Sequence, residues 1–307
     1  MEFKITTLFI HLAVFILLPP FFLGLINKTK ALVAGRKGPP LLQAYFDIFK
    51  LFRKGMVTSG SASFITKLAP GLILVAVFIA GLTMPIVGKA PIHFHGDLIL
   101  FATLLAFGRF LLILAALDVG SSFEGMGASR EATYGAFSEL AFFMGLITLA
   151  IITQSLSFSE IFFWGETHAL FHPSIVLVCI AFFLISLVEN ARIPIDDPNT
   201  HLELTMIHEV MILDHSGPLL GLILAGAALK LFLFMVIIAL LLWPTTGQLD
   251  WQVVSWLLVK VAGIAIVIGI VESVQSRIRL SKIPQLLVGN MVITLLALLI
   301  TILGGKH

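Results

Sequence analysis

One cysteine, Cys179, stands in a chain of 307 residues. A lone thiol excludes an internal disulfide and any cysteine-ligated zinc or iron–sulfur centre. Its apolar setting suits a small core residue. Charge is scarce too: 12% of the residues are Asp, Glu, Lys or Arg, and the net charge is +2. That balance offers nothing to a nucleic-acid partner. The chain has no phosphate-cradling GxxxxGKS/T loop, no GxGxxG fingerprint and no GxSxG elbow. His208-Glu209 is followed by Val210-Met211-Ile212, so the zinc pattern HExxH fails. His93-Phe94-His95 has no third ligand nearby in sequence and suits an interfacial pair better than a metal site. We therefore expect no catalytic centre and no metal site in this chain. Alternating strands of about ten residues are also missing, which argues against a β-barrel. No internal repeat, low-complexity tract or second domain interrupts residues 1–307, so a single membrane domain is expected.

What the chain has in abundance is apolar sequence. It is 59% hydrophobic, and its mean hydropathy is +1.07. This composition describes an all-α polytopic membrane protein. Eight runs of about 20 residues are long enough to cross a bilayer core, near 4–26, 67–88, 97–117, 133–153, 173–190, 217–242, 251–274 and 283–303. The first run lacks a basic leader and a small-residue cleavage site, so it is expected to be retained as a span. Lys and Arg gather in the connections 27–66 and 275–282, with one Arg each in 118–132 and 191–216, whereas the opposite side holds only Lys4, Lys89 and Lys306. All four basic connections fall on one side of an eight-span arrangement. The positive-inside bias then puts them in the cytoplasm and both termini outside.

Two connections are long. In the first, Arg36-Lys37-Gly38-Pro39-Pro40 cannot stay helical, because consecutive prolines remove donors and restrict the residue before them. Beyond it, Leu41, Tyr45, Ile48 and Phe52 recur at helical spacing, with Gln43, Asp47, Lys50 and Lys54 on the other side. The pattern predicts an amphipathic helix over about 40–54, lying at the cytoplasmic interface. A lipid-surface helix and a docking platform for a cytoplasmic partner are both open at this point.

The second long connection is the longest polar interval, Glu189 to Gly217. It carries Asp196, Asp197, His201, Glu203, His208, Glu209, Asp214 and His215 behind Glu189 and Arg192. Pro194 and Pro198 end the preceding span near Arg192, and Asp197 suits the cap of a helix over Pro198 to about Leu213. Other ionisable groups sit inside or at the ends of spans: Arg109, Glu139, Lys230, Lys260 and Glu272, with Asp118, Glu124, Arg130 and Glu131 in the short connection 118–132. Such groups must face protein, water or one another, since lipid exposure costs several kcal/mol. Static buried pairing, for instance Arg109 with Glu139, is one reading. A proton path through carboxyl groups in poorly hydrated sites is the other.

Three motifs in order resemble one family. Glu189, Arg192, Pro194, Asp196, Glu203 and Leu204, followed by Asp214-His215-Ser216-Gly217, are similar to the signature of subunit 1 (the H subunit) of respiratory complex I. Its counterparts in group 4 membrane-bound nickel–iron hydrogenases and formate hydrogenlyase are closer in two other places. These are the short loop Arg36-Lys37-Gly38-Pro39 with Leu42-Gln43 and Asp47 to Lys50-Leu51, and the stretches Leu117 to Ser121 and Gly127 to Glu131. The resemblance covers nearly the whole chain. It implies a subunit that is not catalytic alone and that joins a cytoplasmic redox arm to antiporter-like membrane subunits in the prokaryotic cytoplasmic (inner) membrane. It implies Fe–S clusters, and Ni–Fe in the hydrogenase branch, in partner subunits and no cofactor in this chain.

By the same resemblance, Glu131, Glu139, Glu189, Asp196, Glu203 and Glu209 are expected to carry protons or coupling. Arg109, Asp118, His201, His208, Asp214, Lys230, Lys260 and Glu272 would be supporting charges. Arg36, Lys37, Gln43, Asp47, Arg130 and Arg192 would dock partners or hold loops. Asn199 and His201 replace two family carboxylates, and the first loop is short, which counts against a complete quinone pocket. A quinone-site subunit of an NADH:quinone oxidoreductase is the alternative within the family. A stand-alone secondary transporter is the alternative outside it, although the inverted repeats such folds show are missing.

Overall fold

The computed structural model describes residues 5–167, 172–196, 206–243 and 251–304. Among these, the secondary structure is helical and contains no strand. The chain runs α1 (Ile5–Leu17), α2 (Pro19–Val33), α3 (Gln43–Phe52), α4 (Phe64–Leu82), α5 (Asp97–Val119), α6 (Ser122–Thr153), α7 (Phe158–Thr167), α8 (Pro173–Glu189), α9 (His208–Met211), α10 (Gly217–Leu242), α11 (Trp251–Val274) and α12 (Ile283–Gly304). Seven stretches are long and apolar enough to cross a membrane, the first formed by α1 and α2 together. With a mean hydropathy of 1.9 to 2.6 in each, they make this a multi-pass membrane protein. The helix α8 is apolar but shorter, at 17 residues.

Proline explains the break in the first span. Pro19 and Pro20 lack the N–H groups that would continue the ladder, so α2 restarts with proline in its first turn. The carbonyl of Leu17 accepts the Tyr45 hydroxyl instead, which ties α3 to the break and satisfies a backbone group that lipid could not. Tyr45 and Ile48 face inward, but Leu41 and Phe52 are exposed, and so are Phe46 and Phe49 at 59% and 62%.

At the centre of the bundle is α10. Its apolar window is 72% buried, against 50% or less in every other span. It contacts α2, α3, α4, α8 and α11, and its Phe232 stacks on Phe22 of α2 with ring centroids 5.6 Å apart. A helix apolar on all sides belongs inside, where each face buries against a neighbour.

One boundary is corrected. The stretch 118–132, expected as a charged connection, is helical from Ser122 onward, and only the Gly120 turn separates α5 from α6. Gly120 adopts φ 75° and stops α5, as glycine does at helix ends. Ser121 then opens α6, and the acidic and basic side chains of this stretch ride on the first turns of a helix longer than a bilayer requires. The helix expected over Pro198 to Leu213 is seen as α9 alone; 197–205 lies outside the described residues.

The described parts of the four charged stretches meet at one end of the bundle. Ser216 Oγ accepts from Val57 N and donates to Val57 O at 2.8 and 2.6 Å. Glu124 accepts the Asp214 N–H at 3.1 Å, Arg130 donates to the Met206 carbonyl at 2.8 Å, and Ile278 N donates to the Pro194 carbonyl at 2.9 Å.

Candidate functional site: a buried ion cluster beside a cavity

Arg109 lies in the middle of α5, and three carboxylates converge on it. Its Nη1 is 2.8 Å from Glu139 and its Nε 3.4 Å from Glu131, both on α6, while Nη2 pairs with Glu189 at the end of α8. Glu189 is the most heavily held. Besides Arg109 it takes Lys230 Nζ at 2.8 Å and the Ser138 hydroxyl at 2.6 Å. Four helices therefore contribute to one ionic cluster. The side chain of Glu189 is 5% exposed, that of Glu131 16% and that of Glu139 34%. Small residues make the approach possible. A Cβ on Gly135 would stand 2.8 Å from Arg109 Cδ, and one on Gly127 would stand 2.9 Å from the Ile207 carbonyl, where α9 crosses α6.

A cavity of about 350 Å³ opens beside the cluster. Its apolar wall includes Ile73, Val77, Leu105, Leu112 and Ile223, and its charged wall Arg109, Glu131, Glu189, Arg192 and Lys230. The mouth lies between Gln43 and Asp47 of α3 and His208 and Glu209 of α9. At this mouth the His208 imidazole is held down near a pKa of about 4, first by burial and then by Lys230, against the pull of Asp196 and Glu189. The Glu209 carboxyl is pushed up to about 7 by burial and by the neighbouring Asp196, with Arg192 opposing.

Two satellite pairs flank the cavity. Asp196, 1% exposed, pairs with Arg277 at 3.0 Å and accepts the N–H groups of Ile207 and His208 at 3.2 and 3.0 Å. Glu272 at the end of α11 bridges Lys30 and Arg192, each at 3.3 Å. Buried ion pairs of this kind survive only when each charge is matched.

The expected site residues thus separate. Glu131, Glu139, Glu189, Arg109 and Lys230 come together, with Asp196, His208, Glu209 and Glu272 close by. The pairing of Arg109 with Glu139 is present, but as one of three. Asp118 is elsewhere: its Oδ2 accepts from Ser63 N, Thr66 N and the Thr66 hydroxyl at 2.9, 3.2 and 2.6 Å, capping α4. Lys260 donates to the Trp243 carbonyl at 2.6 Å, past the end of α10 and away from the cavity. Asp214 presents its backbone N–H to Glu124. Glu203 and His201 lie outside the described residues. Arg36 and Lys37 are exposed, and Gln43 donates to Asp47 at 2.8 Å. Arg130 and Arg192 are engaged within the chain, holding Met206 and Glu272. Sequence reasoning passed over Lys30, Ser138 and Arg277. Lys30 and Arg277 sat among surface cations, and Ser138 had only its position beside Glu139 to mark it.

Among the described residues no group of three or more His, Cys, Asp or Glu could hold a metal ion. Arg109, Glu131, Glu189 and Lys230 of this cluster border the cavity while largely removed from water.

Comparison with known proteins places this architecture. The NADH dehydrogenase family profile matches residues 5–303. Hydrogenase-4 component C of Escherichia coli (strain K12) is 32% identical over 221 residues, 71% of this chain and 68% of that protein. Formate hydrogenlyase subunit 4 of the same organism is 28% identical over 279 residues, 87% of this chain and 89% of that protein. A chain of the membrane-bound sulfane sulfur reductase, an archaeal respiratory membrane complex, has the same fold. Its TM-score is 0.86 at 20% identity, over 96% of this chain and 98% of that one. The relatives are thus subunits of multisubunit membrane complexes, and the chain itself belongs to the NADH dehydrogenase (complex I subunit 1) family.

Proposed function

We propose that this chain is the membrane-anchoring and coupling subunit of a complex I-like, ion-translocating oxidoreductase of the hydrogenase or formate hydrogenlyase type. The observation that carries the reading is Arg109, buried within a span and shared by Glu131, Glu139 and Glu189 beside a cavity. Buried charges are expensive to keep near lipid, so a cluster of them beside a cavity supports a role in charge movement. Glu131, Glu139, Glu189, Asp196, Glu203 and Glu209 are the coupling acids. The exposed Arg36 and Lys37, with Gln43 and Asp47 at the cavity mouth, form the docking surface for a cytoplasmic redox arm.

That arm, and not this chain, carries the Fe–S clusters and the Ni–Fe centre; one cysteine leaves no ligand set here. Redox events there would shift α9 and the start of α6, and so alter proton affinity in the cluster. Antiporter-like subunits are its partners within the membrane.

Eight spans in one membrane domain are part of the proposal, with α8 as the shortest. The start of α6 and the described residues of 191–216 meet at one end, which supports α8 as a return across the bundle. The α3 helix is an amphipathic element at the lipid boundary, with Phe46 and Phe49 turned outward and Lys50 on its exposed side. In this reading the membrane is a prokaryotic inner membrane, the positive-inside bias of the Lys- and Arg-bearing end supports that end as cytoplasmic, and both termini lie outside.

The cavity favours a second reading. Its apolar wall and convergent charges would suit a quinone headgroup, as in the NADH:quinone oxidoreductase branch. Tagged purification from native membranes separates the readings. Hydrogenase-like Fe–S and Ni–Fe subunits with antiporter-like chains are expected. A quinone-linked dehydrogenase, or a chain purified without partners, would overturn the hydrogenase assignment. In vesicles of the complex, Glu139→Gln should lower ion translocation per electron while assembly and electron transfer persist.

A further inference from the structure

Three cations, Lys50, Arg53 and Lys54, crowd the end of α3, and among the described residues none of them forms an ion pair. The one acid of the helix, Asp47, accepts from Gln43 at 2.8 Å and lines the cavity instead. Phe46, Phe49, Lys50 and Arg53 recur at i, i+3, i+4 and i+7, so they share one face. That face is turned outward, and all four side chains are exposed. The Arg53 guanidinium lies 5.5 Å from the centre of the Phe49 ring. Aromatic and cationic groups therefore form one continuous surface.

The helix is inclined, and this orders the surface by depth. At its start the Leu41 carbonyl closes on Gly24, about 14 Å along α2 from the end of that helix at Val33. The Tyr45 hydroxyl reaches further, to the carbonyl of Leu17, a residue itself 60% exposed. At the other end Leu51 and Phe52 pack on Gly221 near the start of α10, and the Gly55 carbonyl packs on Gly217, its first residue. Phe46 and Phe49 thus lie deeper between the spans, and Lys50, Arg53 and Lys54 lie towards the charged end. Aromatics below and cations above follow the order of a phospholipid, acyl chains first and then phosphate. A water-soluble partner could cover the cations but not the aromatic end. A zwitterionic headgroup brings its own amine, whereas an acidic one leaves net negative charge for the three cations.

We propose that the outward face of α3 is a binding site for an acidic phospholipid of the cytoplasmic leaflet, with Lys50 and Arg53 on its phosphate, Lys54 beside them, and Phe46 and Phe49 against its acyl chains. This site rests on the reading of α3 as an element at the lipid boundary and adds which class of lipid is held there. The acidic lipid would fasten α3 from outside, as the Tyr45 hydroxyl fastens it from inside.

The test is photo-crosslinking in the purified native complex, reconstituted in vesicles of equal phosphatidylglycerol and phosphatidylcholine. Phe49→p-benzoylphenylalanine puts a photoreactive ring at the acyl-chain level, and mass spectrometry identifies the adducts. Each cation near an anionic surface contributes about a fivefold gain, so Lys50 and Arg53 together should favour phosphatidylglycerol adducts by about 25-fold. Adding Lys50→Gln and Arg53→Gln should lower the excess by that factor, whereas Lys50→Arg with Arg53→Lys should keep it. Raising the salt from about 0.1 to about 1 M screens the same charges without any substitution and should also shrink the excess.

Adducts to the two lipids in equal amounts would overturn the acidic-lipid site and leave α3 at the lipid boundary. So would a phosphatidylglycerol excess that survives both high salt and the paired Gln substitutions. Adducts to another protein subunit in place of lipid would overturn the boundary reading and the site together.

Discussion

Lys230 Nζ lies 2.8 Å from Glu189 Oε2, across the junction of α10 and α8. The pair joins the most buried span to the end of the shorter apolar helix α8, and both residues line the cavity. Removing one member of a buried pair leaves the other charge unmatched, which is more damaging than replacing both. Lys230→Met is therefore expected to destabilise the folded chain by about 3 kcal/mol. Adding Glu189→Gln to that variant should recover part of the loss. Thermal melting of the two single variants and the double variant, treated as a cycle, measures the coupling.

Gly135 is where α6 lets Arg109 in. A Cβ there would come within 2.8 Å of Arg109 Cδ. Gly135→Ala should push the guanidinium out of its seat, at an overpacking cost of about 1–3 kcal/mol. Ion translocation per electron should fall with it, since no carboxylate has been touched but their common partner has moved. Wild-type coupling in an assembled Gly135→Ala complex would show that the position of Arg109 is unimportant.

At the opposite end, Asp97 is fully buried and accepts from Phe158 N and the Ser157 hydroxyl, both at 2.8 Å. It fastens the start of α5 to the start of α7. Asp97→Ala leaves those donors unmatched and should lower stability by about 1–3 kcal/mol. Coupling in the surviving complex should be normal, because the site is remote from the cluster. Melting temperature and the ion-to-electron ratio, measured together, distinguish this structural acid from the acids proposed for coupling.

The cavity mouth should respond to pH in two opposite senses. Glu209 titrates at about 7 in the fold against an ordinary 4.5. The folded chain therefore binds this proton more tightly than the unfolded chain does. The contribution of Glu209 to stability falls as pH rises from about 4.5 to about 7 and is flat above that. His208, at about 4 against an ordinary 6.5, resists protonation, so its contribution falls as pH drops from about 6.5 to about 4. Glu209→Gln should flatten the first slope and His208→Gln the second, read as melting temperature against pH.

Much of the scaffold was legible beforehand because bilayer crossing is a local property of sequence. Seven of the apolar runs are long membrane-grade helices, and the eighth is α8. The misreading at 118–132 has a physical origin. Charge was taken to mean a connection, but Gly120 and Ser121 already carried a stop and a start signal, and a helix projecting beyond lipid tolerates charge on every turn. For α3, periodicity gives a stripe but not its direction. The Tyr45 bond to the Leu17 carbonyl sets that direction, and it depends on a break in a helix far away in the chain.

By itself the sequence determined that the chain is helical, lives in a membrane and concentrates its ionisable groups at a few places, since apolar run length and charge spacing act over tens of residues at most. Only the tertiary structure decided which charges meet. Arg109 and Glu189 are separated by 80 positions, as are Arg192 and Glu272. No local rule links such pairs. They meet because α5, α6, α8 and α10 close around one another, and burial then forces each charge to find its opposite.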